Sequence, residues 1–374
     1  MKKPLVLALI AVFSVFVLWT PFLLKLDNFW GLNFNRQGLE VIYKNYDGPM
    51  YLTVAKSLYS PDLIDLHNTT ALHPIYFAAH FPAYPLFIRL FDIFLGSLRS
   101  MVFVTTLFSC FSVLMFYKFL KDFSLSKNPF FLSILFLFLP ARWLIVRGVG
   151  SNEPVFVFFL LASFYFFKKA VNNGKAVNYL MAGLMGAFVQ LTRSPGVILF
   201  FAYLFYLIWQ RKFKPSSLGI FLIPASLLML FAFYGIQYND FFAYFNSGDN
   251  IHLELLPFGV FNSDKSWVGT HWLEDNIYIY LIGAVGLVTL FKKKLYDLFS
   301  FSILYFGATL FVAHRDIARY SLPLVPFILI AFEDYLTKKE FKIAFALILI
   351  PIYLFAWNFI LQNQAPIADW GPYL

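Results

Sequence analysis

Long apolar runs that alternate with short, lysine-bearing gaps constrain this chain more than any single residue does. Residues 5–26 carry one charge, Lys25, near the end of the run. At 1.5 Å per residue such a helix crosses a hydrocarbon core of about 30 Å. Comparable runs recur to the C-terminus, and at 60% hydrophobic and 13% charged the chain lies outside the range of soluble domains. The expected fold class is therefore all-α: a polytopic membrane protein forming one domain over 1–374. A cleavable signal peptide is disfavoured, because no small-residue site follows the first run and the run exceeds an h-region. The single Cys110 sits in an apolar run, so a disulfide framework is excluded.

The basic residues fall in every second gap. Lys2 and Lys3 precede the first run; Lys118, Lys121 and Lys127 follow 100–117; Lys168, Lys169 and Lys175 follow 154–167. Arg211, Lys212 and Lys214 follow 195–209, Lys292 to Lys294 follow 277–291, and Lys338, Lys339 and Lys342 separate the last two runs. Lysine and arginine concentrate in cytoplasmic loops. The net charge of +9 is thus a topology signal, and nucleic acid is not an expected partner.

This pattern predicts about eleven spans, near 5–26, 100–118, 129–146, 154–168, 176–191, 195–210, 217–236, 277–291, 296–313, 319–335 and 341–360. The N-terminus falls inside and the C-terminus outside. Residues 81–97 do not fit as a span, since counting them would invert every later loop; they read as an interfacial helix on the outer face.

The reactive groups gather mostly on that outer face. A first loop, 27–98, holds Asp47, His67, His73 and His80. A short connection carries Arg142, Arg147 and Glu153, and a turn carries Arg193. A long loop, 237–276, adds Asp240, Asp249, His252, Glu254, Asp264, His271, Glu274 and Asp275, with Phe241, Phe242, Tyr244, Trp267 and Trp272. His314, Arg315, Asp316 and Arg319 come last.

Each has a plainer reading. Asp47 precedes Gly48-Pro49, so it suits a helix N-cap as well as a general base. Arg142 and Arg147 flank a membrane boundary, where arginine commonly snorkels, and Glu153 at a helix start complements the macrodipole. Arg315 and Arg319, four apart, are expected on one helical face as a phosphate clamp. The histidines at 67, 73 and 80 lack metal-ligand spacing, and Asp47 has no adjacent carboxylate, so no metal is expected. No Gly-rich phosphate loop is present. The long loop's aromatics and carboxylates suit a sugar acceptor or simply a folded cap.

A family resemblance rests on motifs that occur in order. Tyr46-Asp47-Gly48-Pro49-Met50-Tyr51 runs on through Val54, Ala55 and Tyr59, and is followed by His80-Phe81-Pro82-Ala83-Tyr84-Pro85. Ser151-Asn152-Glu153 and Arg193-Ser194-Pro195-Gly196 come next. Together they resemble the GT-C superfamily of integral-membrane glycosyltransferases, and within it the branch that adds the second mannose of GPI anchors. The resemblance implies a GT-C fold and an inverting transfer of mannose or a similar hexose. The implied donor is a polyprenyl-phosphate sugar reached through the membrane lipids; the acceptor is a glycolipid, glycan or protein, and no cofactor is implied. Asp47 would be the base, Glu153 and His80 would orient substrate, and Arg315, Arg319, Arg193 and Arg147 would hold the donor phosphate. The expected location is a prokaryotic plasma membrane, or the endoplasmic reticulum in a eukaryote. A transporter or lipid flippase is the competing class. Such proteins show repeats and mid-membrane polar groups, whereas these charges sit at the ends of spans.

Overall fold

A computed structural model of the chain describes residues 2–70, 72–248, 252–268, 273–367 and 369–374. Helix α1 (Lys2–Leu23) leads through a two-residue hairpin, β1 (Asn28–Phe29) with β2 (Leu32–Asn33), into four short helices. These are α2 (Glu40–Tyr43), α3 (Gly48–Ser57), α4 (Pro61–His67) and α5 (Ala83–Leu95). The bundle continues with α6 (Ser97–Asp122), α7 (Pro129–Phe138), α8 (Ala141–Val146), α9 (Glu153–Asn173), α10 (Ala176–Thr192) and α11 (Val197–Trp209). It closes with α12 (Leu222–Tyr238), α13 (Glu274–Lys292), α14 (Tyr296–Leu310), α15 (Ile317–Tyr320), α16 (Val325–Ala331), α17 (Glu333–Leu336) and α18 (Lys339–Gln362).

The fold is that of an all-α polytopic membrane protein. Among the described residues six helices are long and apolar enough to cross a bilayer: α1, α6, α9, residues 215–238 ending in α12, α13 and α18. The remaining expected spans are shorter or broken. The run 129–146 divides at Pro140 into α7 and α8, and 319–335 divides into α15, α16 and α17. Proline lacks a donor and ends the preceding turn, which accounts for the first of these breaks.

Local sequence sets the ends. Asn128 accepts from the Phe131 amide at 3.2 Å and Pro129 opens α7, a cap and first-turn proline in their preferred places. Helix α9 opens on Glu153-Pro154 and closes at Gly174 with φ +69°, the left-handed position that glycine fills without a Cβ penalty.

The two ends of the bundle differ in chemistry. At one end the lysine-bearing gaps meet. Lys168 pairs with Asp297 at 2.6 Å, Lys293 with Asp334 at 2.7 Å, and the Lys127 amide donates to Glu333 at 2.8 Å. At the other end the first polar segment meets the C-terminal residues. Asn45 donates to the Ile360 carbonyl at 3.0 Å, Ala365 N to Lys44 O at 2.8 Å, and Tyr373 bonds Thr69 at 3.0 Å.

Helix α5 buries Tyr84 and Ile88 and exposes Leu86, Leu90, Ile93 and Phe94. Its 13 residues span roughly 20 Å, too short to cross, and Arg89 tethers it to the Ala55 carbonyl at 2.9 Å. An interfacial position suits this one-sided pattern.

Glycine permits one close approach that sets α10, and with it the Arg193 turn. A Cβ at Gly183 would lie 1.8 Å from the Gly219 carbonyl oxygen. Gly183→Ala should therefore destabilise the fold by about 1–3 kcal/mol through overpacking, read as a lower thermal midpoint in detergent. Gly307→Ala, with nothing within 4 Å of its Cβ position, should leave the midpoint unchanged.

Candidate active site

Asp47 meets the Ser151–Glu153 turn because two glycines bring their backbones together. A Cβ at Gly150 would fall 2.5 Å from the Met101 sulfur and 3.1 Å from Gly48 Cα. Only hydrogen fits there. Thr105 Oγ1 donates to the Ser151 carbonyl at 3.2 Å, and Asn152 Nδ2 to the Thr192 carbonyl at 3.1 Å, which ties the turn to α6 and α10. Tyr46 is held at φ +50°, a strained conformation for an aromatic residue. It places its ring 4.1 Å from the Arg319 guanidinium.

The Asp47 side chain makes no cap bond to α3, so the N-cap reading of the carboxylate does not hold. Instead Arg319 Nη2 donates to Asp47 Oδ2 at 3.0 Å. The same guanidinium donates through Nε to Glu153 Oε1 at 2.5 Å, and Arg193 Nη1 donates to that oxygen at 2.8 Å. Ser151 Oγ donates to the other oxygen of Glu153. Two carboxylates and two guanidiniums thus form a chain, Asp47–Arg319–Glu153–Arg193. Glu153 is 1% exposed, whereas the Asp47 side chain remains 39% exposed, because it forms part of the wall of a cavity.

That cavity holds about 600 Å³ and is lined by Asp47, Tyr46, Arg142, Arg315, Arg319 and Phe359, among others. Arg142 lies flat over Phe359 at 3.8 Å and pairs with Asp316 at 3.1 Å. By sequence Arg142 resembles a snorkelling boundary residue; its place beside Pro140 in an otherwise apolar stretch is what sets it apart. Arg315 and Arg319 do not share a helical face. Asp316 accepts from the Arg319 amide at 3.2 Å and starts α15 at Ile317, so Arg315 lies outside the helix. Arg319 turns inward to the carboxylates, and Arg315 stays exposed at the cavity wall.

Burial pushes the Asp47 carboxyl upward, but Arg319, His80 and Arg193 together outweigh it and hold it below the ordinary carboxylate range. Asp47 is therefore ionised at neutral pH. Burial drives the His80 imidazole below its ordinary value, against the pull of Asp47, so the ring is neutral at pH 7. His80 packs edge-on against Tyr51 at 5.2 Å, and its Nδ1 is buried with no hydrogen-bond partner.

The structure does not bring Arg147 to this group. It is fully buried and donates at 2.9 Å each to Ser109 of α6 and Ser14 of α1. The guanidinium cross-links two helices within the bundle. His67, at the end of α4, bonds the Pro372 carbonyl at 3.0 Å, and His73 accepts from the Ile75 amide at 3.4 Å. Among the described residues no three His, Cys, Asp or Glu side chains are grouped to hold a metal ion. In the long loop, Asp240 accepts from Phe242 N and Asn246, and Glu254 pairs with Lys265. Asp264 and Asp275 are exposed, and Glu274 accepts from the Tyr278 hydroxyl at 3.2 Å. Phe241 and Phe242 remain exposed, and Tyr244 packs on Phe81. Trp267 and His252 flank His314, at 6.2 and 4.7 Å. Asp249, His271 and Trp272 lie outside the described residues.

Residues 73–236 match the family described as dolichyl-phosphate-mannose-protein mannosyltransferase. The matched segment contains His80, Glu153 and Arg193 and ends before Arg315 and Arg319; Asp47 precedes it. The match supports a multi-pass membrane glycosyltransferase of mannosyltransferase type, within the GT-C superfamily. No curated protein matches the chain.

Glu153 is the shared acceptor of two buried guanidiniums, so Glu153→Gln leaves like charges facing each other. Removing one partner of a buried ionic group costs about 3–5 kcal/mol, and the variant should show a clearly lower thermal midpoint. Arg315→Met, at an exposed position, should shift stability by less than about 0.5 kcal/mol.

Proposed function

We propose that the protein transfers mannose or a similar hexose from a polyprenyl-phosphate donor to a lipid, glycan or protein acceptor, with inversion at the anomeric carbon. The observation that carries this reading is the placing of an ionised, accessible carboxylate, Asp47, in one cavity with Arg142, Arg315 and Arg319. A base and an anion-binding group must both lie within reach of one sugar, and this cavity supplies both.

In the reaction the acceptor hydroxyl attacks the anomeric carbon while Asp47 takes its proton. The bond from that carbon to the phosphate oxygen breaks, and its electron pair leaves with the lipid phosphate. Arg315 and Arg319 stabilise that charge. Glu153 and Arg193 are positioning residues that hold Arg319. Neutral His80 borders Asp47 and orients substrate. Arg147 has no contact with this group and takes no part.

A second, apolar cavity of about 430 Å³ suits the isoprenoid chain. It begins at Ala318 and Ser321, which flank Arg319 in sequence, and runs past Leu324, Ile328 and Phe332 to Leu336. The Asp47 end of the bundle is opposite the lysine-bearing end, so lysine's cytoplasmic preference favours an active site on the extracytoplasmic face. The order of motifs also resembles the branch that adds the second mannose of GPI anchors, and a prokaryotic plasma membrane is the favoured location.

Asp47→Asn, reconstituted in liposomes with a polyprenyl-phosphate-mannose donor, should lose about 10²- to 10⁴-fold in transfer rate. Full transfer by the folded variant removes Asp47 as the base. Movement of the intact lipid across the bilayer, without sugar transfer, identifies a flippase instead. The pH profile gives a separate check. A lowered Asp47 and a lowered His80 both predict a rate that is flat around neutral pH and falls only on the acid side of the ordinary imidazole value of about 6.5. A break near pH 6.5 contradicts a neutral His80.

A further inference from the structure

Leu255 and Leu256 are 97% and 75% exposed, and Leu253 is 61% exposed. They lie within one stretch, 253–261, that also exposes Phe258 and Phe261. Single exposed apolar residues are ordinary, but so many within one short segment need an occupant. This cluster belongs to a loop whose backbone is fixed to the bundle. Glu254 N donates to Phe311 O at 2.9 Å, Phe258 N to Leu310 O at 2.6 Å, and Ala313 N to His252 O at 2.8 Å. The leucines are therefore held outward and do not fold back onto the protein.

Continuity with the lipid-facing belt names the occupant. Phe258 packs on Tyr280 of α13 at 5.5 Å. On that helix Ile277, Tyr278, Leu281 and Ile282 are likewise exposed, and α13 is a candidate membrane span. The polar residues that follow, Asn262, Ser263 and Asp264, are exposed as well, while Glu254 within the stretch is neutralised by Lys265. An apolar stretch, joined to a membrane-spanning face and ending in a polar tip, has the composition of a segment seated at the boundary between headgroups and acyl chains.

We propose that residues 253–261 insert into the lipid interface beside α13, at the same end of the bundle as Asp47, as a membrane-seated loop. The inference does not depend on the sugar-transfer reading. It adds a lipid contact beside Ile279 and Ile282, which line the apolar cavity. At its other end His252 packs on His314 at the polar cavity's wall.

Cys110 is the chain's one cysteine, so Cys110→Ser provides a background for site-directed spin labels. In phosphatidylcholine–phosphatidylglycerol liposomes, labels at Leu255→Cys and Leu256→Cys should be accessible to oxygen and shielded from an aqueous nickel chelate, as at Phe13→Cys on α1. A label at Asp264→Cys should show the reverse. Leu255 and Leu256 as accessible to nickel as position 264 would overturn the proposal. The unaltered protein supplies an independent arm: a bilayer-partitioned diazirine should label peptide 253–261 within a few-fold of the α13 peptide. Labelling of that peptide no higher than of 262–268 overturns the proposal equally.

Discussion

Arg319 is the group on which the site depends. One guanidinium donates to two carboxylates, Asp47 and Glu153, and Arg193 closes the series from the far side of Glu153. Four charges, two of each sign, cancel in a region where an unpaired ion costs several kcal/mol. They come from four separate parts of the chain: the start of α3, the start of α9, the end of α10, and α15. Helices too short or too broken to be ideal spans are needed to bring those ends to one level. The interruptions at Pro140 and around Ser321 belong to the site's construction, since Arg142 and Arg319 stand immediately beside them.

The fold was legible because its signals are one-dimensional. Span length and lysine placement need no knowledge of contacts, so the order of the apolar segments and the amphipathic α5 could be read directly. The site was legible only in part. Asp47 before Gly48-Pro49 satisfies the rule for a cap, and nothing local separates a carboxylate that caps from one that reaches residue 319. Arg315 and Arg319 have helical spacing, but Asp316 caps a helix that begins at Ile317, two residues after Arg315, so the pair does not share a face. Arg147 and Arg142 are both arginines beside a membrane boundary. Their separation into a buried cross-link and a cavity residue depends on Ser14, Ser109 and Phe359, each of which lies far away in sequence.

The exposed leucines of the long loop illustrate a different gap. Read as a sequence, that loop is notable for its carboxylates and aromatics, which suggested an acceptor platform. In the structure its described carboxylates are taken up by turns and ion pairs or left exposed, and Leu253, Leu255 and Leu256 face outward. Backbone bonds to residues 310–313 determine which side chains face out, and no periodicity in the loop encodes them.

The ion series also bears on how a carboxylate in this position can serve as a base. Pairing with Arg319 keeps Asp47 ionised and, by the same interaction, lowers its affinity for a proton. The proposed reaction relieves that conflict. A lipid phosphate entering between Arg315 and Arg319 competes for the guanidinium that Asp47 holds at 3.0 Å. As negative charge grows on the leaving oxygen, Arg319 interacts more strongly with it and less with Asp47, whose proton affinity then rises as the acceptor hydroxyl gives up its proton. Glu153, which also pairs with Arg193, would keep Arg319 in place during the exchange. Base strength and leaving-group stabilisation would thus be coupled through one side chain, and the buried carboxylate behind it would keep that side chain fixed.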